Sequence, residues 1–435
     1  MRKRNVTKVM SSVMLTACLM MSNFAASTVI AANENYPADI RTFDKIEEVY
    51  GKDYSDKIVI LSSNDTHGNV DDFAYMKPLE KYFTDMHATV LTVDCGDFSQ
   101  NGKKENIVDK TEGIAALKIM ETAGYDVVAM GNHEFDYIYE DEDGCNLFRE
   151  RMENGNFDKI CANLLDNNKN QIINHNCVKT VTTSKDKTVN IGFFGLDTGE
   201  TTEKNHASFT YTDGVLNALT GSDMVACAEN EINDLRNIAP EGYEDPDPNE
   251  TADIVICLAH LGVEEGRLHK DSSILLYNGD EDEDGPYNGI GENVDLILDA
   301  NSHTVMTSGN NGEPIMSTGE KFANIGVVII DAKNEENAKP SIIDRFLISS
   351  KEFKGKFDPD GATQDTIKLA NKGEFNSLVP EFHDKDGKVI EDPYKYLKDK
   401  KNNENKNGNG GDNKKNDKND KNNKNKKNDK KGKNH

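Results

Sequence analysis

Five short polar segments of the chain carry metal-binding side chains, and each follows an apolar run that predicts a β-strand. The segments are Asn64-Asp65-Thr66-His67-Gly68, Cys95-Gly96-Asp97, Gly131-Asn132-His133-Glu134-Phe135-Asp136, His260-Leu261-Gly262 and Asp299-Ala300-Asn301-Ser302-His303. One such segment is a weak signal, because Asn, Asp and His are also ordinary turn residues. Five such segments at the ends of strands indicate a functional site, because α/β folds usually carry their catalytic and binding residues there.

The donor groups in these segments are carboxylates, imidazoles and amides, which suit Mn, Zn, Fe or Mg. A carboxylate that contacts two ions is typical of a two-metal centre, which activates water and clamps a phosphoryl group. Asp65 and His67 lie two residues apart, so they point the same way if the strand geometry continues. We therefore expect two divalent metal ions as cofactors.

The elements that must position these segments alternate between strand patterns and amphipathic helix patterns. The sequence predicts strands at 58–63, 89–94, 126–130, 189–195, 253–259, 294–298 and 326–331. It predicts helices at 79–86, 113–124 and 224–235. This alternation favours the α/β class. Most of the strands are apolar on both faces, which predicts sheets that are covered on both sides.

The blocks NDTHG, GDFSQNG, GNHEFD, AHLG and NSHT, in this order, resemble those of the calcineurin-like metallophosphoesterases. Within that group they are similar to the secreted bacterial 5'-nucleotidases and UDP-sugar hydrolases. The resemblance covers residues 56–350 and the family's catalytic domain only. It implies a four-layer α/β/β/α sandwich with a di-metal site at the carboxyl ends of the strands.

The resemblance also implies two sets of metal ligands that share one carboxylate. The first set is Asp65, His67 and His303. The second set is Asn132, His260 and Asn301. Asp97 would bridge the two ions.

Two further residues of the GNHEFD block are expected to be catalytic. His133 resembles the family's catalytic histidine, which stabilises the charged transition state or protonates the leaving oxygen. Asp136 would orient that imidazole and raise its pKa. Glu134 and Phe135 are expected to be loop and packing residues.

The last block departs from the family pattern, which is typically Gly-His-x-His or Gly-His-x-Gln after another glycine. Asn301 stands where the family has the first histidine, and Ala300 stands in place of a glycine. An amide thus replaces an imidazole, and Asp299 could compensate if its carboxylate turns toward the ion. The nucleotidases also carry a second domain that contacts the base and phosphate, and residues 351–397 are too few for one.

These features predict an exported, metal-dependent phosphoesterase that hydrolyses phosphate monoesters, with 5'-nucleotides as the substrates that the resemblance implies. One alternative is a phosphodiesterase acting on a 2',3'-cyclic nucleotide or UDP-sugar at the same centre. Another is a secreted binding protein with little catalysis. In each case the expected partner is a small phosphorylated molecule.

The amino-terminal residues 1–31 have a basic head, an apolar middle and small residues at the end, as in a signal peptide. Residues 32–55 are then a linker. A retained membrane anchor is an alternative, since about 20 apolar residues span a bilayer. Leu15-Thr16-Ala17-Cys18 also resembles a lipobox, but apolar residues continue beyond it. We expect a secreted or cell-surface protein.

The charge is unevenly distributed along the chain. The formal net charge is −26, yet residues 398–435 contain 14 Lys against 6 Asp plus Glu. Residues 1–397 are therefore strongly acidic, which argues against binding a nucleic-acid duplex through a basic face. The Lys- and Asn-rich tail cannot bury enough apolar area to fold and is predicted to be disordered. It could contact an anionic surface such as the cell wall, or serve only as a solubilising tail.

Two other patterns leave alternatives open. Six cysteines follow Cys18, and an even number in an exported chain permits disulfides without selecting a pairing. Cys95 and Cys257 end apolar runs and are expected to be core residues. The acidic stretch 278–292 contains D-x-D-x-D-G, the start of an EF-hand loop, but its twelfth loop position is Gly291. A solvated loop is the alternative.

Overall fold

The computed structural model describes residues 36–390 apart from several internal ranges. The excepted residues are 101–102, 104–105, 137–143, 167–169, 204–215, 238–250, 264–270, 283–284, 334–337 and 385. The predicted signal peptide (1–31) and the predicted tail (398–435) lie outside the described residues. Within the described residues, no helix is long and apolar enough to cross a membrane.

Among the described elements, strands alternate with helices in part of the chain, as the sequence predicts, but two runs of strands have no helix between them. The strands are β1 Lys57–Ser63, β2 Thr89–Asp94, β3 Val127–Ala129, β4 Asp158–Ile160, β5 Leu164–Asp166, β6 Asn176–Thr182, β7 Thr188–Asp197, β8 Leu216–Ala218, β9 Ile254–His260, β10 Gly279–Asp282, β11 Gly285–Asn288, β12 Leu296–Leu298, β13 Val305–Met306, β14 Ile315–Thr318, β15 Asn324–Asp331 and β16 Ser341–Ser349. The helices are α1 Phe43–Tyr50, α2 Met76–Thr84, α3 Ile107–Lys110, α4 Ile114–Ala123, α5 Gly144–Met152, α6 Glu200–Glu203, α7 Gly221–Leu235, α8 Ser273–Asn278, α9 Ser350–Lys356 and α10 Gly361–Asn371.

Two six-stranded sheets carry the polar segments. The first sheet has the order β16-β15-β1-β2-β3-β4, and β1 to β4 run parallel. The second has the order β13-β14-β12-β9-β7-β6, and β14, β12, β9 and β7 run parallel. Parallel neighbours end at the same edge of a sheet. The loops after β1, β2 and β3 therefore lie together, as do those after β9 and β12.

The core lies on both faces of each sheet, because alternate residues of a strand point to opposite faces. In β1, Ile58 and Ile60 pack in the cluster between the two sheets, whereas Val59 and Leu61 pack in the cluster that includes residues of α2 and α4. In β9, alternate residues pack likewise between the sheets or in the cluster with α7. The predicted α/β/β/α layering is confirmed.

Segments on both sides of 56–350 contribute to the same core. Phe43 and Ile46 of α1, which lies in the predicted linker, are buried there, and so are Phe353 of α9 and Ile367 of α10. The sequence interpretation did not identify these helices. Each is short and buries only a few side chains, so its apolar periodicity is brief.

The structure settles two of the alternatives within the described residues. Residues 279–282 and 285–288 pair as the antiparallel strands β10 and β11, whereas an EF-hand loop joins two helices. Among the described cysteines, five have free thiols and none forms a disulfide. Cys95 and Cys257 are buried in the core, as predicted. The side chain of Cys145 lies outside the described part.

Candidate metal centre

The five polar segments converge where the carboxyl edges of the two sheets meet. His67 Nε2 lies 3.1 Å from His303 Nε2, so loops from different sheets are in direct contact. Asp65 Oδ1 lies 3.5 Å from His303 Nε2 and 3.9 Å from His67 Nε2. A cation among these three donors would relieve the contact of two ring nitrogens with each other and with the carboxylate. The first predicted ligand set is thus brought together.

Asp97 lies between this set and the other loops. Its Oδ2 atom is 3.2 Å from His260 Nε2, 3.8 Å from His67 Nε2 and 3.9 Å from His133 Nε2. Its side chain is almost completely buried. Burial favours the neutral carboxyl, but the imidazoles of His260 and His133 hold the pKa of Asp97 well below its ordinary value. A central, ionised carboxylate fits the bridging position that the sequence predicts.

His260 is oriented by the backbone. Its Nδ1 atom lies 2.8 Å from the Cys95 carbonyl oxygen, a contact that requires the proton on Nδ1. Nε2 faces Asp97 and Asp65, and this buried atom has no hydrogen-bond partner. Burial would lower the pKa of His260, but the charges of Asp97 and Asp65 raise it well above its ordinary value. A cation at Nε2 would replace the proton that these carboxylates attract. Ligating histidines are commonly held in this way by a carbonyl on the other nitrogen. The arrangement fits a metal ion at Nε2.

Gly131 allows the second set of ligands to approach. A Cβ atom at this position would lie 2.5 Å from Asp97 Oδ1 and 2.6 Å from the His260 ring, so a side chain there would collide with both. The next residue, Asn132, is buried and begins a short 3₁₀ turn at 132–135. The missing side chain therefore lets the loop after β3 lie directly against Asp97 and His260.

Asn301 contacts the first ligand set through its backbone. Its N–H donates to Asp65 Oδ2 at 3.0 Å, while its own Nδ2 atom is buried without a hydrogen-bond partner. The amide nitrogen is a hydrogen-bond donor and cannot bind a cation, so Asn301 could be a metal ligand only through Oδ1. Asp299 Oδ1 accepts from Ser273 Oγ at 2.5 Å and from Gly262 N at 3.2 Å. These bonds tie the loops after β9 and β12 together.

Five predicted metal ligands have left-handed backbone conformations. They are Asp65 (φ 48°), His67 (φ 45°), Asp97 (φ 59°), Asn301 (φ 70°) and His303 (φ 54°). Strand geometry therefore does not continue past β1, which was the condition for expecting Asp65 and His67 to point the same way, yet both still point to one site. Such conformations cost on the order of 1 kcal/mol or more each and cluster at functional sites.

His133 and Asp136 form the predicted pair. His133 Nδ1 lies 2.8 Å from Asp136 Oδ2, and the backbone N–H of His133 donates to Asp97 Oδ1 at 2.9 Å. Burial alone would lower the pKa of His133, but the charges of Asp97 and Asp136 raise it to about 10. At His67 the effect of burial exceeds that of the nearby charges of Asp97 and Asp65 and lowers the pKa. This favours the neutral imidazole that a metal ligand requires.

Glu134 and Asn64 are two residues whose roles the sequence interpretation missed. The buried Glu134 carboxylate accepts four backbone N–H groups from the loops that carry Asp97 and Asn132. Burial and the charge of Asp97 raise the pKa of Glu134 to about 7, while the four donors favour its charged form. Asn64 Nδ2 donates to Asp65 Oδ2 at 2.7 Å. A glutamate three residues after Gly131 is a helix-capping pattern and could have drawn attention to Glu134.

The donor set fits divalent metal ions. The structure groups Asp65, His67 and His303; His67, Asp97 and His133; and Asp65, Asp97 and His260. In each group the donor atoms lie within 4.8 Å of one another. Buried carboxylates and imidazoles at these separations attract cations. The role of each residue, and the number of ions, remain predictions.

Comparison with known proteins identifies the fold. No family model matches the chain. The calcineurin-like phosphoesterase YfkN from Bacillus subtilis superimposes with a TM-score of 0.53 and 17% identity, covering 74% of this chain and 99% of that chain. The Thermus thermophilus sulfate thiohydrolase SoxB superimposes with a TM-score of 0.50 and 12% identity, covering 73% of this chain and 60% of that one.

A sequence match adds a local similarity. The trifunctional nucleotide phosphoesterase protein YfkN of Bacillus subtilis (strain 168) is 34% identical over 80 residues. That segment is 18% of this chain and 5% of the relative's length. Together with the two mixed sheets and the clustered ligands at their edge, the structural likeness shows that the chain has the calcineurin-like phosphoesterase fold.

Proposed function

We propose that the protein is a metal-dependent phosphoesterase that hydrolyses phosphate monoesters, with 5'-nucleotides as its substrates. The observation that carries this proposal is the position of Asp97. Its Oδ2 atom lies within 4 Å of His67, His133 and His260, so one buried carboxylate reaches ligands from both sheets. This arrangement suits a pair of ions that share a ligand, which is the usual centre for phosphoryl transfer to water.

The comparisons support the substrate class. The relative that shares an 80-residue segment is described as a nucleotide phosphoesterase, and the structural neighbour of the same name is described as a calcineurin-like phosphoesterase. The acidic body of this chain repels anions, so attraction for a phosphate must come from a local positive site. Bound ions and a protonated His133 would provide it.

We infer a role for each predicted residue. Two divalent ions, when bound, would supply an activated water and neutralise charge on the phosphoryl group. Asp65, His67 and His303 would hold one ion, Asn132, His260 and Asn301 the other, and Asp97 both. Deprotonated carboxylates and neutral imidazoles are needed for this, so ion binding releases protons.

His133 would act on the leaving group. With Nδ1 bonded to Asp136, its Nε2 atom faces the centre and carries a proton at neutral pH. It can donate that proton to the ester oxygen as the bond to phosphorus breaks, or stabilise the charge that develops on the phosphoryl oxygens.

Hydrolysis of p-nitrophenyl phosphate by the purified protein tests the activity. We expect turnover with added Mn that EDTA abolishes and Mn restores, and no turnover by a matched Asp97→Asn variant. Folded wild-type protein that binds Mn but releases no p-nitrophenol would contradict the proposal and favour a binding protein. Rates on AMP, UDP-glucose and bis-p-nitrophenyl phosphate then separate nucleotidase from phosphodiesterase.

We also propose that the protein is exported by its predicted signal peptide and contacts an anionic surface through the basic tail. The charge pattern at the two ends of the sequence supports this proposal. Amino-terminal sequencing should show that the mature protein begins directly after Ala31. Sedimentation with isolated anionic cell-wall polymer, compared with a variant that ends at Leu397, tests the tail; equal binding of both forms refutes that contact.

A further inference from the structure

One buried carboxylate joins the two loops that carry the centre of the site. Glu134 Oε2 accepts from Asp97 N at 2.8 Å and from Gly131 N at 2.7 Å. Glu134 Oε1 accepts from Phe98 N at 2.9 Å and from Ser99 N at 3.0 Å. The side chain is 1% exposed, so these bonds do not compete with bulk water.

Helix capping accounts for only part of this arrangement. The bond from Gly131 N to a glutamate three residues later is the reciprocal half of a capping box, at the start of the 3₁₀ turn. The other three donors belong to a loop 35 to 37 residues earlier in the chain. Successive backbone N–H groups that converge on one anion form a concave anion site. Here the anion is a side chain of the protein itself.

The two loops that Glu134 joins hold ligands of both expected ions. Asp97, whose own N–H is bound, has a left-handed backbone, and the preceding Gly96 does too. The loop after β3 carries Asn132, and it is further tied by the bond from Ser99 Oγ to the His133 carbonyl at 3.1 Å. The position of the Asp97 carboxylate relative to Asn132 therefore depends on bonds that meet at Glu134.

We propose that Glu134 is a positioning residue that holds the bridging carboxylate of Asp97 in place between the two ions. In this role it acts through the backbone of both loops and not as a ligand of either ion. The inference rests on the proposed function only in requiring a two-ion centre, because it concerns ion binding and not turnover.

The Glu134→Gln variant tests this role with little change in size. Its amide nitrogen would face two backbone N–H groups, so two of the four bonds are lost. We expect Mn affinity in equilibrium dialysis to fall by about 10- to 100-fold, the usual effect of losing a partner that orients a ligand. The spin coupling between two Mn ions, measured by electron paramagnetic resonance, should be lost as well. The same substitution at the exposed Glu121 of α4 is the control and should change neither.

Several outcomes would overturn the proposal. The proposal fails if folded Glu134→Gln has the Mn affinity and the spin coupling of the wild-type protein. It also fails if the wild-type protein binds no second ion. If the variant does not fold, hydrogen exchange on the wild-type protein decides. Slow exchange at the amides of Asp97, Phe98, Ser99 and Gly131 is expected, and exchange at the rate of exposed loops refutes the role. A wild-type protein that binds two coupled ions without hydrolysing phosphoesters refutes the proposed function alone.

Discussion

His133 and Asp136 lie three residues apart on one turn, with Nδ1 of the first 2.8 Å from Oδ2 of the second. The 3₁₀ turn at 132–135 makes this contact possible, because it brings the two side chains to the same side of the chain. With Nδ1 held by a carboxylate, Nε2 is directed to the centre. The pair therefore sets both the orientation and the charge of the imidazole.

Replacing Asp136 with asparagine should change the pH dependence of hydrolysis. The Asp136 charge is one cause of the raised pKa of His133, so its removal lowers that pKa. If protonated His133 is required, kcat falls as the pH rises through this pKa. We expect the alkaline limb of the kcat profile to move down by about one pH unit. If the alkaline limb does not move, its pKa belongs to a group other than His133.

Replacing His133 with alanine should separate catalysis from metal binding. We expect kcat to fall by a factor on the order of 10² to 10⁴, the usual effect of removing a positioned acid or base. Metal content, measured by elemental analysis, should stay at the wild-type value. His133 is grouped with His67 and Asp97, so loss of metal would instead identify it as a ligand. The exposed His383→Ala is the control.

Residue type and order were sufficient to predict that the polar segments lie together. Buried strands followed by polar segments identify the carboxyl edge of each sheet, and all seven predicted metal ligands come from such segments. Strands that are apolar on both faces predicted sheets covered on both sides, because burial on two sides leaves a local trace in sequence. The four α/β/β/α layers, which the structure confirms, were implied by the family resemblance.

Other features depend on contacts that no local pattern encodes. The left-handed conformations of Asp65 and His67 are one such feature, since the loop after β1 must turn toward the second sheet. Glu134 resembles a loop residue until the donors from the loop after β2 are seen. Strand β6 was missed because it lies at the edge of its sheet and is largely half-exposed, with few apolar residues to mark it.

Replacing Asp97 with asparagine should remove metal from both positions. The substitution keeps the shape of the side chain but removes the negative charge that lies 3.2 Å from His260 and 3.8 Å from His67. Since losing a partner of a ligand costs about 10- to 100-fold in affinity, losing the shared ligand should cost more than that. Elemental analysis should show little bound metal and assays almost no turnover. Two retained ions with normal activity would refute the bridging role.

Replacing Asn301 with histidine should strengthen the weaker metal position. A neutral amide is a poorer donor than imidazole for Mn or Zn, so the position built from Asn132, His260 and Asn301 should fill second. In the wild-type protein we expect the second ion to dissociate at micromolar to millimolar concentrations, and activity to rise steeply with added Mn. Histidine tolerates the left-handed backbone at this position, which has φ 70°. Asn301→His should lower the Mn concentration for half-maximal activity by about 10-fold. If wild-type protein purifies with two tightly held ions, or if the variant leaves the Mn titration unchanged, Asn301 is either an adequate ligand or no ligand.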